Sequence, residues 1–188
     1  MIPWLVASYF CGSIPFGLII VRASSGKDVR SVGSGNIGAT NVARAAGRKA
    51  AAATLVLDAV KGLVPVLLAL RLAAGPAWVA AGCAVAAVLG HCFPVWLRFR
   101  GGKGVATGLG VSLALAPWAA LAGGAAWLLF YKVLRISSAG SLAGVATALV
   151  VAGFTAPRDS LLGLAIVAAI ILLRHTGNIR RLLQQKES

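Results

Sequence analysis

Seven apolar stretches separated by short basic connections run the length of this chain, and that alternation limits its fold more than any other feature. The stretches are Ile2–Val21, Ala50–Leu70, Ala77–Leu97, Val105–Ala116, Ala119–Val133, Ser137–Phe154 and Ser160–Leu173. Most approach the roughly 20 residues that cross a bilayer's hydrocarbon core. They are rich in Ala and Leu and lack the two-residue alternation of a barrel strand. Because lipid offers no hydrogen bonds, each backbone must satisfy itself internally, and helices follow. A hydrophobic fraction of 59% over 188 residues agrees, lying well outside soluble globular usage. The expected fold is an all-α integral membrane protein with about seven transmembrane helices. The fourth stretch is short and glycine-bearing, and Pro117 separates it from the fifth. That pair fits either two full crossings or a re-entrant hairpin. The first run has no basic residue before it and no small-residue cleavage site, so it reads as a retained helix rather than a signal peptide.

The formal charge of +14 raises the question of nucleic acid, which the placement of the basic residues answers. Alternating sides puts residues 22–49, 98–104, 132–136 and 174–188 on one face, and these hold six, three, two and four Lys or Arg residues, 15 of the 18. The opposite face, 71–76 and 155–159, holds Arg71 and Arg158, and Lys61 lies within a helix. The excess of positive charge marks the first face as cytoplasmic, with the N-terminus outside and the C-terminus in the cytoplasm. Without a basic helix interleaved with aromatics, no nucleic-acid partner is expected, and the charge reads as topology plus attraction to anionic lipid or substrate. Cys11, Cys83 and Cys92 are odd in number, lack CxxC spacing and sit in or beside apolar runs, as small buried hydrophobes do.

Two cytoplasmic loops carry the chemistry. GSGNIGATN, Gly33–Asn41, places three glycines among Ser34, Asn36, Thr40 and Asn41. Glycine lets successive N–H groups turn inward as an anion nest, with Gly35 and Gly38 inside it, and the hydroxyls and amides add donors. The following VARAAGRK is helix-compatible and puts Arg44 about one turn beyond a helix N-terminus, which favours an anion. The second loop, RFRGGKGVAT, sets Lys103 among Gly101, Gly102 and Gly104 at the start of an apolar helix. A lysine point charge with close backbone approach suits phosphate. A ligand-free capped turn and a juxtamembrane anchor are the plainer readings of the two loops taken singly; their shared face favours a site. The spacing is not that of a nucleotide P-loop.

Other polar groups admit two readings each. Asp58 and Lys61, three apart on one helix face, form either a structural intramembrane pair or part of a site. His91, near the cytoplasmic end of the third helix, is either a packing residue or a donor to substrate. His175 and Asn178 sit three apart after the last helix, where interface anchoring competes with phosphate binding. Ser141 reads as a helix N-cap or a site residue. No His, Cys, Asp and Glu cluster suits a metal, and Asp28 and tail Glu187 give the cytoplasmic face few carboxylates. Neither a metal nor another cofactor is expected. The chain has no GxSxG elbow, and neither histidine has an aspartate five residues later as the acyl-CoA-dependent glycerolipid acyltransferases do.

Five ordered motifs, GSIPFG (12–17), GSGNIGATN (33–41), LDAVKG (57–62), GHCFPVWLRFRGGKGVAT (90–107) and RHTGNIRRLL (174–183), make the chain resemble the bacterial acyl-phosphate:glycerol-3-phosphate acyltransferases over most of its length. The resemblance implies a single polytopic acyltransferase domain over residues 1–188 in the bacterial inner membrane. It would move a fatty acyl group from acyl phosphate to the first hydroxyl of sn-glycerol 3-phosphate, giving lysophosphatidate and phosphate in phospholipid synthesis. By motif position Ser34, Asn36, Thr40 and the loop backbone would hold the donor's phosphate, with Lys103 close to both phosphates. Arg44, Ser141, His175 and Asn178 would bind glycerol 3-phosphate. Ser34, Asn36, Lys103 and His175 are the expected catalytic group. Gly35, Gly38, Asn41, Gly102 and Gly104 belong with the binding residues, and Asp58, Lys61 and His91 with their support. Functional coupling to the enzyme that makes the acyl phosphate follows from the same resemblance. Arg100 stands where lysine is expected before GGKG, which keeps the charge. The alternative from another class is a small transporter of phosphorylated anions, which should show inverted repeats; none is visible in the sequence.

Overall fold

In a computed structural model describing residues 1–73 and 76–187, the chain is helical throughout, with no strand among the described residues. The first apolar stretch is two helices, α1 (Ile2–Gly12) and α2 (Phe16–Ser25), parted at Ser13–Pro15. Pro15 has no N–H to continue the helical ladder, so the break falls there. Next, α3 (Ala39–Leu72) bends at Gly47, where φ +83 and ψ 178 part the first eight residues from the apolar remainder. Only glycine takes that backbone without strain. Thus the long connection 22–49 is more ordered than a loop: α2 extends to Ser25, a 3₁₀ turn covers Val29–Ser31, and α3 begins at Ala39.

The remaining helices are α4 (Trp78–Cys92), α5 (Val105–Leu115), α6 (Pro117–Leu134), α7 (Ser137–Thr155), α8 (Arg158–Arg174) and α9 (Thr176–Leu183). By length and composition five spans qualify among the described residues: α1 with α2, α3, α4 with its following turn, α6 and α7. A sixth arises if α8 and α9, bent by 58°, count as one. The fourth sequence stretch, α5, has 11 residues, about 16 Å at the helical rise and roughly half the hydrocarbon thickness. It is shorter than a crossing because it starts at the glycine loop and stops before Pro117. The connection 71–76 includes Ala74 and Gly75, which lie outside the described residues.

The core is built on α4, whose Val79, Ala80, Cys83, Ala84, Ala87, Val88 and Cys92 are buried against α1, α3 and α8. Small residues let these helices approach closely, as expected where lipid supplies no hydrophobic drive between them. A Cβ at Gly12 would lie 2.0 Å from the Ala87 carbonyl oxygen, and one at Gly110 would lie 1.9 Å from that of Ala59. Cys83 and Cys92 are buried and Cys11 half-buried, all free thiols. α6 and α7 pair with each other at the edge, exposing Trp118, Leu129, Val133, Val150 and Phe154.

Candidate active site

The connection before α3 is organised by one side chain. Asn41, 2% exposed, directs its Nδ2 to the carbonyls of Val29, Val32 and Asn36, each at 2.9 Å, and its Oδ1 accepts from Ser34 N–H at 3.1 Å. Gly35 N–H donates to Val32 O at 3.0 Å and Gly38 N–H to Asn36 Oδ1 at 2.8 Å. This corrects the expected nest: the N–H groups of Ser34, Gly35 and Gly38 are engaged inside the loop. Asn41 is likewise a builder of the loop and its amide hydrogens are committed there. Positive φ at Gly33 and Gly35 makes the turn possible. What the loop presents outward is Ser34, Gly35 and the side chain of Asn36. These line an open cleft of about 550 Å³ together with Arg30, Phe99, Arg100, Gly101 and Arg174. Thr40 points elsewhere, its hydroxyl 2.9 Å from that of Ser137 at the start of α7. Arg44 packs over the turn, with its Cδ 3.2 Å from where a Gly33 Cβ would stand.

The GGKG loop is held from outside. Gly101 N–H donates to Cys92 O and Gly102 N–H to His91 O, both at 3.1 Å. Arg174 closes the other side: Nε donates to Gly102 O and an Nη to Gly101 O, again at 3.1 Å, while its guanidinium stacks over Phe93 at 5.2 Å. Such a planar fork is suited to two carbonyls at once. Gly102 rests on the His91 ring, where a Cβ would come within 2.1 Å of Nε2. With the backbone fixed on both edges, Lys103 projects half-buried just before α5, whose N-cap Gly104 has φ +86. Burial pulls the Lys103 ammonium below its ordinary pKa; Glu187 opposes this, and the charges of Arg181, Arg174 and Arg44 add to it.

The support group lies one layer deeper. Lys61 Nζ meets Asp58 Oδ1 at 2.7 Å and donates to Ile14 O at 2.7 Å, inside the α1–α2 break. His91 Nδ1 is 3.8 Å from the same Asp58 oxygen. All three are buried, at 2–4% exposure, so the donor reading of His91 is corrected: it packs beneath the glycine loop and does not line the cleft.

His175 occupies the bend between α8 and α9, with Nδ1 2.8 Å from Ile171 O. Since a carbonyl can only accept, Nδ1 carries the proton, and in the neutral ring Nε2 is an acceptor. The chain bends by 58° between α8 and α9, and the bend turns Asn178 toward the N-terminal end of α7. There its Nδ2 donates to Glu187, as do Ser138 Oγ at 2.8 Å and Arg181 Nε. Ser141 is corrected as well. It is the fifth residue of α7, and its hydroxyl donates back to Ser137 O at 2.9 Å, so it is no N-cap.

The structure therefore gathers Ser34, Gly35 and Asn36 at one cleft, and Lys103, His175 and Asn178 in a neighbouring basic group, with Arg174 and the Gly101–Gly102 backbone between them. Arg30, Arg174, Ser137, Ser138 and Arg181 were not singled out from sequence. Arg174 and Arg181 lie inside the RHTGNIRRLL motif, which marks their neighbourhood without showing their partners. Among the described residues no three His, Cys, Asp or Glu side chains converge to hold a metal ion.

Comparison with known proteins gives this arrangement a context. The family model described as glycerol-3-phosphate acyltransferase matches residues 2–185. A glycerol-3-phosphate acyltransferase of Anaeromyxobacter sp. (strain K) is 56% identical, with 97% of this chain and 94% of the relative covered. One from Myxococcus xanthus is 50% identical over 97% and 96% of the two chains. Among solved structures, PlsY, an integral membrane glycerol 3-phosphate acyltransferase in its glycerol 3-phosphate form, superposes with a TM-score of 0.94 at 39% identity. That match covers 100% of this chain and 94% of PlsY. The lysophosphatidic acid form of PlsY gives 0.89 at 36%, covering 100% and 93%. These relatives favour the enzyme over the transporter. The chain belongs to the glycerol-3-phosphate acyltransferase family and is a multi-pass membrane enzyme.

Proposed function

We propose that the acyl donor is an acyl phosphate and that the two loops form the site where its acyl group passes to the sn-1 hydroxyl of glycerol 3-phosphate. The observation that carries this is the Arg174 clamp, which joins the cleft lined by Ser34, Gly35 and Asn36 to the glycine loop that carries Lys103. Glycerol 3-phosphate and lysophosphatidic acid, the ligands of the PlsY forms, are the acceptor and product such a site would serve.

An acyl phosphate is already activated, so the protein has chiefly to place the hydroxyl near the carbonyl, stabilise the tetrahedral oxyanion and hold the departing phosphate. Ser34 and Asn36 hold the donor phosphate. Lys103, on a loop fixed by four hydrogen bonds, serves the charge that develops between donor and acceptor. Arg44, His175, Asn178 and Ser141 belong to the acceptor side, and Thr40, expected at the donor phosphate, turns to Ser137 instead. The donor's own phosphate takes the hydroxyl proton, and no covalent enzyme intermediate forms. The reaction needs no metal; supporting this, the cytoplasmic-side loops offer Asp28 and Glu187 as their carboxylates. Residues 1–188 act as one domain in the inner membrane, with α5 completing a seventh, partial pass. The N-terminus lies outside, the C-terminus and the site lie on the cytoplasmic face, and coupling to the enzyme that makes acyl phosphate follows.

The test is incubation of detergent-purified protein with palmitoyl phosphate, glycerol 3-phosphate and EDTA, beside a palmitoyl-CoA reaction, measuring lysophosphatidate and released phosphate. Product from acyl phosphate alone, undiminished by chelation, is expected. Product from the thioester alone, or loss on chelation, overturns donor or metal independence respectively. A pH profile that loses one limb in His175→Ala with binding intact would move the proton-accepting role to His175.

A further inference from the structure

Glu187 lies inside the basic group. After α9 the chain reverses: Gln185 takes a left-handed φ of +55, Lys186 N–H donates to Arg181 O at 2.8 Å, and Glu187 is laid back over the helix it has just left. Its carboxylate, 8% exposed, accepts from Ser138 Oγ, Asn178 Nδ2 and Arg181 Nε. Three donors from two helices distant in sequence converge on one anion. Nearby charges complete the picture: Glu187 is the neighbour that favours the charged form of Lys103, and it acts likewise on His175. Burial opposes ionisation of Glu187 itself, but the hydrogen bonds from Arg181, Asn178 and Ser138 outweigh it, so the group remains an anion at neutral pH. An ordinary surface ion pair has one partner; this carboxylate has three.

We propose that Glu187 is an internal stand-in for the acceptor's phosphomonoester anion, held by Ser138, Asn178 and Arg181 on the acceptor side of the site, and that the acceptor must displace it. The assignment of the ligand rests on the acyltransferase reading; the pocket and its occupant rest on the contacts above. A carboxylate and a phosphate monoester both present oxygens to fixed donors, and the phosphate brings more charge to a group containing Lys103, Arg181 and Arg44. Tail and acceptor therefore compete, and the apparent affinity for the acceptor is reduced by the fraction of molecules in which the pocket is open. An open fraction of roughly 0.1 to 0.3 means a penalty of about 3- to 10-fold.

The test compares full-length enzyme with Glu187→Ala and with a chain ending at Gln184, each in detergent, with melting temperatures recorded. Binding of inorganic phosphate and of glycerol 3-phosphate is measured calorimetrically without donor, and KM for glycerol 3-phosphate is measured with palmitoyl phosphate. Both tail variants are expected to bind the two anions about 3- to 10-fold tighter, with KM lowered alike and kcat unchanged. Ser138→Ala in the Glu187→Ala background is expected to weaken binding again. Unchanged or weaker anion binding in both tail variants, at unchanged melting temperature, overturns the proposal. Because binding is read without donor, wild-type protein that binds phosphate yet makes no lysophosphatidate would overturn the acyl-phosphate reading and leave the tail claim standing on its own data.

Discussion

The two glycine loops look alike in sequence and are held in opposite ways. Gly33–Asn41 is folded by its own side chains, with Asn41 serving four partners between residues 29 and 36. The GGKG loop contributes little to its own shape; His91 and Cys92 carbonyls hold its N–H groups, and Arg174, more than seventy residues away, holds its carbonyls. The first loop is thus a local motif, and the second is a joint where α4 and α8 meet. Lys103 is only as well placed as those two helices make it.

The largest effect should come from Lys103→Ala, which removes the charge and leaves both loops standing. A loss of about 10²- to 10³-fold in kcat/KM is expected, the usual cost of deleting one preorganised electrostatic group, with the melting temperature unchanged. Near-normal turnover would remove Lys103 from the site.

Next come substitutions that separate the loops. Asn41→Ala should cost about 10²-fold in activity through misplacement of Ser34 and Asn36. It should speed hydrogen exchange across residues 30–41 while leaving 98–104 protected. Arg174→Ala should do the converse, with roughly 10- to 10²-fold lost and exchange accelerated at 98–104 alone; Arg174→Lys, which cannot span two carbonyls, should restore little. If either substitution loosens both loops together, the contrast between them fails. Gly102→Ala tests the same joint from beneath, because its methyl would press on His91 Nε2; a drop of about 10-fold is expected.

The smallest effect concerns pH. Lys103 works charged, and its pKa is lowered by burial, so the active form disappears as pH rises through that lowered value. The alkaline limb of kcat/KM should fall below the range of an exposed lysine. Lys103→Arg, charged throughout the accessible range, should lose that limb even where its overall rate is lower. A limb unmoved by the substitution would assign it to another group.

Much of the helical layout was legible because it depends on composition along the chain: the boundaries of α6, α7 and α8 fall within two residues of the apolar runs. The breaks were less so. Pro15 and Gly47 were visible as residues, but whether a proline or glycine interrupts a membrane helix depends on what packs beside it, here Lys61 at the Ile14 carbonyl. Both loops could be found by their glycines, whereas their inner hydrogen bonds could not: nothing in GSGNIGATN says that Asn41 turns inward to Val29 while Asn36 faces the cleft. Arg174 and Ser138 were hidden for a similar reason. Each acts through partners remote in sequence, and an arginine or serine at a helix end has a plain local explanation. Asp58 and Lys61 are the counterexample, since helical spacing alone paired them.

Whether the two loops serve one reaction is tested most directly by a double-mutant cycle in kcat/KM between Ser34→Ala and Lys103→Ala. Groups acting on the same transition state are far from additive. With palmitoyl phosphate and glycerol 3-phosphate as substrates, the double variant should therefore be only slightly slower than Lys103→Ala alone. A double loss equal to the product of the two single losses would mean independent loops and contradict a shared site.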